Sequence, residues 1–381
     1  MKRMIERFKI AKKNVKAFAI EDDFNKGNFL EGYISASHGK SYGSMLITAI
    51  NNDPVEIFVF STPKLDYPFD RNDKWNFPKA QEIRIYDKLD GTNIIAYSYE
   101  YKDKRFITYK TRLSPIVKNS GRFGPFQDML REMLQTYNGD IEAIVKEGRY
   151  NVSFELFGAR NKHLILYDIP LELTLLFYID AQNGNILPPN TIQNNLKTPD
   201  QITFDKNSNY VQLYKWLQEE DDKKIEKTEM GMKGSEGKVW YMKLETGKWI
   251  MYKMKPHAVE EIHWTGGLGK NVIRATAWNV LENHSEITFA RVKELLLETF
   301  IENDIDGKRD FIEEIIKEIN ETFEFEAKVL EEYQRIRISI WQDKANVMRA
   351  ISPKFPKNKM KYVYWIIANK GEKKPEISQV I

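Results

Sequence analysis

Lys88-Leu89-Asp90-Gly91-Thr92-Asn93 lies between two strand-like runs, Glu82-Ile83-Arg84-Ile85-Tyr86 and Ile94-Ile95-Ala96-Tyr97-Ser98-Tyr99. Asp-Gly between such runs is a strong hairpin signal, and Gly91 permits the turn. A lysine held at a tight turn between two paired strands is presented to a cleft. Its amine is a competent nucleophile once burial or neighbouring cations lower its pKa. Six residues alone prove little, because Lys-x-Asp-Gly turns are common. The weight falls on segments further along the chain.

Four of them come in order. Phe154-Glu155-Leu156-Phe157-Gly158 closes a strand after Asn151-Val152-Ser153. Glu155 is a carboxylate on an otherwise apolar strand, which is costly without partners. Arg160 is its plainest structural partner. Leu175-Leu176-Phe177-Tyr178-Ile179-Asp180 is an apolar, aromatic strand. Its adjacent residues face opposite ways, so only one of Phe177 and Tyr178 can meet a ligand, and Phe177 is preferred. Glu236-Gly237-Lys238-Val239-Trp240-Tyr241-Met242-Lys243 opens another strand, and Tyr252-Lys253-Met254-Lys255-Pro256 ends the series.

This order resembles the collinear motifs of the covalent nucleotidyltransferases, the ATP-dependent ligases and mRNA capping enzymes. Asn93, directly after the lysine motif, looks more like the RNA ligases. The long upstream segment and the helical tail look like the archaeal homodimeric ATP-dependent RNA ligases. The resemblance covers most of the chain, while its motifs specify only 88–255. It implies that Lys88 attacks the α-phosphate of ATP to give a lysyl-AMP with loss of pyrophosphate. Lys253 and Lys255 would favour the neutral amine by like-charge repulsion and bind phosphate oxygens. Asp90 would order the turn, Gly91 allow close backbone approach, and Asn93 sit near strand ends or phosphates. Glu155 would meet ribose hydroxyls. Glu236, with Glu155 beside it, would serve a magnesium or manganese ion. Phe177 or Tyr178 would stack on the purine. Arg112 matches the basic residue after the lysine hairpin, although Leu113-Ser114-Pro115 follows it where the family often has glycines. Gly121-Arg122-Phe123-Gly124 offers a flexible loop nearby, with Arg122 sharing that role. The implied function is an RNA ligase that joins 5′-phosphate and 3′-hydroxyl RNA ends as a homodimer. The rivals are a DNA ligase, a GTP-dependent capping enzyme, and an inactive nucleic-acid-binding scaffold.

Composition bounds the remainder. The 381 residues carry 58 basic and 55 acidic side chains, for a net charge of +3, so nucleic-acid binding needs local segregation of charge. With no cysteine, disulfides, thiolate catalysis and cysteine metal sites are excluded. No apolar run approaches the roughly 18 to 20 residues of a membrane span. The basic, mixed N-terminus lacks the apolar core of a signal peptide, so the expected location is the cytoplasm.

The expected fold class is α+β. A nucleotidyltransferase core of packed antiparallel sheets with flanking helices (76–257) comes after an N-terminal α/β module (1–75). A helical dimerisation module (258–325) and a C-terminal module (326–381) complete the chain. Core strands are expected at 82–87, 93–99, 105–111, 151–157, 174–180, 237–243 and 248–254, with another over 55–60. Two helical stretches, 126–137 and 141–146, precede Glu155. The charge run over 216–224 reads as a solvated face. Helices start at Ser285 or Thr288, after Gly307, and near Phe325, the second with a stripe of Phe311, Ile312, Ile315, Ile316 and Ile319. The passage 62–78 mixes Arg71 and Lys74 with Trp75 and Phe77, as nucleic-acid contacts do. Thr265-Gly266-Gly267-Leu268-Gly269-Lys270 is not a P-loop, because Trp264 holds the leading glycine position and Asn271 replaces Ser or Thr. The five histidines have no zinc-ligand spacing.

Overall fold

A computed structural model describes residues 1–37, 39–70, 74–119, 126–161, 163–205, 207–228, 231–259, 268–281, 286–297, 305–306, 308–339 and 344–371. Arg71, the 121–124 loop with Arg122, His263, His284, Ser285 and most of the glycine-rich stretch before Lys270 lie outside them.

A short helix α1 (Lys2–Phe8) leads into strands β1 (Val15–Glu21), β2 (Phe29–Ser35), β3 (Met45–Ile50) and β4 (Asp53–Val59), which form an antiparallel sheet in chain order. Asn51 and Asn52, both at positive φ, make the β3–β4 turn. Asparagine tolerates that conformation. The inner face of this sheet (Leu30, Ile34, Met45, Ile47) packs on Tyr97, Tyr99 and Ile116 of the next domain.

The core holds β5 (Glu82–Asp87), β6 (Thr92–Tyr101), β7 (Lys104–Lys110), helix α2 (Phe126–Val145), β8 (Tyr150–Phe157), β9 (Glu172–Asp180), β10 (Ile186–Leu187), helix α3 (Tyr210–Lys223), the hairpin β11 (Glu226–Thr228) and β12 (Gly231–Lys233), then β13 (Lys238–Lys243) and β14 (Trp249–Met254). Eight of these strands form one antiparallel sheet in the order β5-β13-β14-β10-β9-β8-β6-β7. Every expected core strand is present. The two helical stretches before Glu155 are one helix, α2. Tyr137, Ile141 and Val145 continue its buried stripe across Gly139, and that burial outweighs the ~1 kcal/mol a mid-helix glycine costs. The charge run is not wholly solvated. On α3, Asp221 is buried and paired with Lys238, which also reaches Asp87 Oδ1 at 2.9 Å.

Among the described residues no strand follows Met254. The helices there are α4 (Lys270–Val280), α5 (Phe289–Leu296), α6 (Arg309–Ser339), α7 (Lys344–Ile351) and α8 (Met360–Lys370). Thr288 caps α5 by accepting from Arg291 N–H. The helices expected after Gly307 and near Phe325 are the single helix α6. Its first half buries Ile312, Ile315, Ile316 and Ile319 in an apolar cluster continuous with the core sheet, whereas Phe311 is exposed. Its second half packs with α7 and α8 around Val329, Ile351 and Val363. No described helix is long and apolar enough to cross a membrane.

Candidate active site

Sheet order changes the reading of the lysine segment. β5 pairs with β13, while β6 pairs with β7 and β8, so the strands flanking Lys88 are not partners. Lys88 to Gly91 is therefore no hairpin turn. It links β5 to β6 across different strand partners, with Lys88 N–H donating to Gly237 O (2.9 Å) and Gly91 N–H donating to Glu155 Oε1 (3.0 Å). Gly91 does not adopt positive φ. Glycine is required because a Cβ would stand 2.3 Å from Leu156 O. Asp90 orders the loop: its Oδ2 accepts from Ile165 N–H (2.7 Å) and its own N–H donates to Tyr167 Oη (2.8 Å). Burial, then Glu236, pushes the Asp90 carboxyl up to about 7.

Lys88 Nζ lies 2.6 Å from Glu236 Oε2, and Lys255 Nζ lies 3.0 Å from Oε1. The Lys88 side chain is 21% exposed and that of Glu236 only 6%. Burial opposes ionisation of Glu236, but Lys88 and then Lys255 hold the carboxyl down to about 2. The expected neutral amine is not found in this arrangement. Burial disfavours the Lys88 ammonium, yet Glu236, Glu155 and Asp90 outweigh burial and raise its pKa. The three carboxylates outweigh burial because Glu236 touches the amine directly. Lys253 behaves as expected of a repelled cation: burial, then Lys255, Lys88 and Lys64, push it down to about 7. Its Nζ sits 4.4 Å from the Tyr67 ring centroid. Among the described residues no carboxylate pairs with it.

These groups line one cavity of about 1300 Å³. Glu155 faces Asn93 across β8 and β6, and both border the cavity. Arg160 is not the partner of Glu155, because it pairs with Glu132 at 2.7 Å. Asn93 Nδ2 donates to Ser153 Oγ and Phe154 O, both at 3.0 Å, and its buried Oδ1 has no partner. Arg112 reaches the cavity after all, its guanidinium 5.4 Å from the Tyr42 ring centroid and its buried Nε without a partner. Phe177 lines the cavity near Tyr86, Val239 and Tyr241. Tyr178 faces the opposite side. Its hydroxyl donates to Ile192 O (3.3 Å) and accepts from Asn194 Nδ2 (2.6 Å), and its ring is buried among α2-side residues, which removes it as the stacking residue. Phe177→Ala should therefore raise the KM for nucleotide by about tenfold or more. Tyr178→Phe should leave KM alone and cost about 1 kcal/mol of stability. Initial rates and a denaturant titration separate the two.

Sequence reasoning missed several residues. Lys110 is fully buried and donates to Gly43 O (3.0 Å), Thr111 O (2.7 Å) and Arg112 O (3.1 Å), fixing the Arg112 segment against the N-terminal sheet. Burial, then Arg112, pushes it down to about 7. His163 is buried with Nε2 3.3 Å from Thr92 Oγ1, and burial pushes it down to about 4, so it is neutral. Thr276 and Asn279 of α4 border the same cavity, as do Thr62, Lys64 and Tyr67. No local pattern marks Lys110, His163, Thr276 or Asn279, while Thr62, Lys64 and Tyr67 fall in the 62–78 passage that composition assigns to nucleic acid.

Among the described residues no group of three or more His, Cys, Asp or Glu converges on a metal position. Magnesium needs fewer protein ligands, one or two carboxylates with substrate phosphates. Glu236, ionised and buried, fits that donor set, with Glu155 nearby. His257 is on the surface against Asp222 (Nδ1–Oδ2 2.6 Å) and serves no site.

No protein-family model matches this sequence, and no curated protein matches it. Solved structures do. A putative ATP-dependent DNA ligase from Aquifex aeolicus aligns over 88% of this chain and 80% of its own, at 14% identity and a TM-score of 0.41. An archaeal ATP-dependent RNA ligase aligns over 83% and 76%, at 10% identity and a TM-score of 0.41. A Naegleria gruberi RNA ligase with PPi aligns over 66% of this chain and 98% of its own, at 10% identity and a TM-score of 0.32. The chemistry of the site rests on the side chains around Lys88.

Proposed function

We propose that this chain is an ATP-dependent RNA ligase working through a lysyl-AMP intermediate. The observation that carries the reading is a half-buried amine, Lys88, held 2.6 Å from Glu236 in a cavity that also presents Lys253 and Lys255. Such a pocket suits an anionic polyphosphate, and a site for one small ligand needs only roughly 300 to 1,000 Å³. The larger cavity leaves room for a second substrate. Lys88, once neutral, attacks the α-phosphorus of ATP. A P–N bond forms, the bond to the β-phosphate oxygen breaks, pyrophosphate leaves with that electron pair, and one amine proton is released. The adenylate then passes to a 5′-phosphate end, and a 3′-hydroxyl displaces AMP. Positioning and charge neutralisation dominate displacements of this kind. Lys253 and Lys255 hold phosphate oxygens, Glu155 and Asn93 accept from hydroxyls, and Phe177 stacks on the base. A magnesium or manganese ion held by Glu236, with Glu155 nearby, would neutralise the phosphates.

The same site chemistry would serve a DNA ligase or a capping enzyme. The helices after Met254 favour the RNA ligase reading, because a small β-barrel commonly follows the core in those other groups. The modules 1–75, 76–257, 258–325 and 326–381 remain our proposed division, with the third joining two copies in a cytoplasmic homodimer. Incubation with each α-labelled nucleotide and magnesium tests the core of this reading. Acid-labile, base-stable label from ATP alone is expected. Label from GTP alone would point to capping, and no label from any nucleotide would leave a scaffold. RNA and DNA ends competing in one tube decide the polymer, and light scattering decides the dimer.

Lys253 gives a pH dependence of definite sign. It titrates near 7, and a bound phosphate favours its charged form. Above pH 7 the free protein has lost a proton that nucleotide binding takes back. The Kd for ATP should therefore rise between pH 7 and pH 9, by at most about tenfold per unit. Calorimetry in two buffers of different ionisation enthalpy should register proton uptake at pH 8 and little at pH 6. Lys253→Met should abolish the difference.

A further inference from the structure

The segment 62–67, just after β4, is stitched across the site. Thr62 Oγ1 lies 2.9 Å from Ser153 Oγ, the hydroxyl that also accepts from Asn93. At the other end, Asp66 O accepts from Lys253 N–H at 3.0 Å, so the segment runs alongside β14 as a short parallel bridge. Between these anchors Lys64 N–H donates to Gly39 O (3.0 Å). Lys64 and Tyr67 both border the cavity, and Tyr67 places its ring over Lys253. Lys64 and Lys253 thus border one pocket, lined also by Asp66 and Asp70, and Lys64 is among the charges that push the Lys253 pKa down. A ring beneath an ammonium orients it without neutralising it. Cations brought together this way are stabilised by an anion between them.

We infer that Lys64 is a further nucleotide-binding residue that contacts the phosphate chain of ATP, and that Tyr67 is a positioning residue that holds Lys253 for the same task. The N-terminal module then completes the nucleotide site of the neighbouring domain. This rests on the nucleotidyltransferase reading of the site. It also gives the 62–78 passage a role on the small-molecule side of the reaction, where sequence composition pointed to nucleic acid.

The test compares ATP with adenosine, which shares the base and ribose but has no phosphate, on the full chain without divalent cation so that no turnover occurs. Lys64→Ala should weaken ATP by at least about fivefold and leave adenosine within about twofold. Lys64→Arg should retain most of the ATP affinity. Tyr67→Leu should reproduce the ATP-selective loss, and Tyr67→Phe should not, because phenylalanine keeps the ring. Equal losses for ATP and adenosine would make the segment merely structural and overturn the inference. Unchanged ATP affinity with weakened binding of an RNA end would overturn it in favour of a nucleic-acid contact. Nucleotide labelling of the wild type keeps the two readings apart: a wild type that labels, with Lys64→Ala binding ATP normally, defeats this inference alone. A wild type that never labels defeats the site reading as well.

Discussion

Lys88→Ala should take no label from α-labelled ATP, a loss of at least about 10⁴-fold, because the proposed covalent intermediate forms on that amine. Lys88→Arg will not rescue it. A guanidinium stays protonated at any pH the protein survives, so it has no lone pair to offer phosphorus. The fold should tolerate both changes. Glu236 keeps Lys255 at 3.0 Å, so its charge is not stranded, and the melting temperature should move by only a few degrees. A strand already carrying the adenylate needs no nucleophile at Lys88. Sealing of a pre-adenylated RNA end should therefore persist in Lys88→Ala, which separates loss of the first step from loss of the whole site. Undiminished label on Lys88→Ala would remove Lys88 as the nucleophile. Loss of pre-adenylated sealing together with a collapsed melting transition would instead mark Lys88 as structural.

How the lysine reaches that position shows what sequence could and could not reveal. Short apolar and aromatic runs identified the strands that carry the site, from Ile83-Arg84-Ile85 to Trp249-Ile250-Met251, because burial on one or both faces writes itself into the local pattern. Strand partners leave no such trace. Asp90-Gly91 carried the strongest hairpin signal and is not a hairpin. Two turns that do join neighbouring strands, Asn51-Asn52 and Lys102-Asp103, use non-glycine residues at positive φ, while those joining β9 to β10 and β13 to β14 use Gly184 and Gly247. β5 pairs with β13 from Asp87 opposite Lys238 to Glu82 opposite Lys243, segments far apart in the chain. That pairing sets Lys88, just after β5, beside Glu236, just before β13. The motif residues Lys88, Glu155, Phe177, Glu236, Lys253 and Lys255 were legible because a resemblance supplied their order. Lys64, Lys110 and His163 belong to no motif and become visible only when distant segments are packed together.

The sign of the Lys88 shift sets up the second large effect. Glu236 is the closest cause of its raised pKa, so the carboxylate to which we assign the phosphate and metal chemistry also keeps the proposed nucleophile protonated. Nucleotide phosphates arriving at Lys255 and Lys253, with a divalent cation at Glu236, would draw the carboxylate from Lys88. The amine would then be left among burial and neighbouring cations, both of which favour its neutral form. Glu236→Gln should split these two roles. Without divalent cation or nucleotide, the Lys88 amine should titrate lower than in the wild type, because the carboxylate that touches it is gone. Mass-spectrometric readout of an amine-selective reagent across pH measures it. In the same variant, adenylylation with magnesium should fall by at least about 100-fold, because the charge that positions the cation and phosphates is gone. Greater intrinsic reactivity with less catalysis is the signature expected. The variant also loses the pairing that raises the Lys88 pKa, and the stability this pairing gives the wild type is itself lost as pH rises through that raised pKa. The stability deficit of the variant should therefore shrink at high pH. A Glu236→Gln protein whose Lys88 titrates as in the wild type, or which still takes label at the wild-type rate, would show that this carboxylate governs neither the proton on the nucleophile nor the phosphates it attacks.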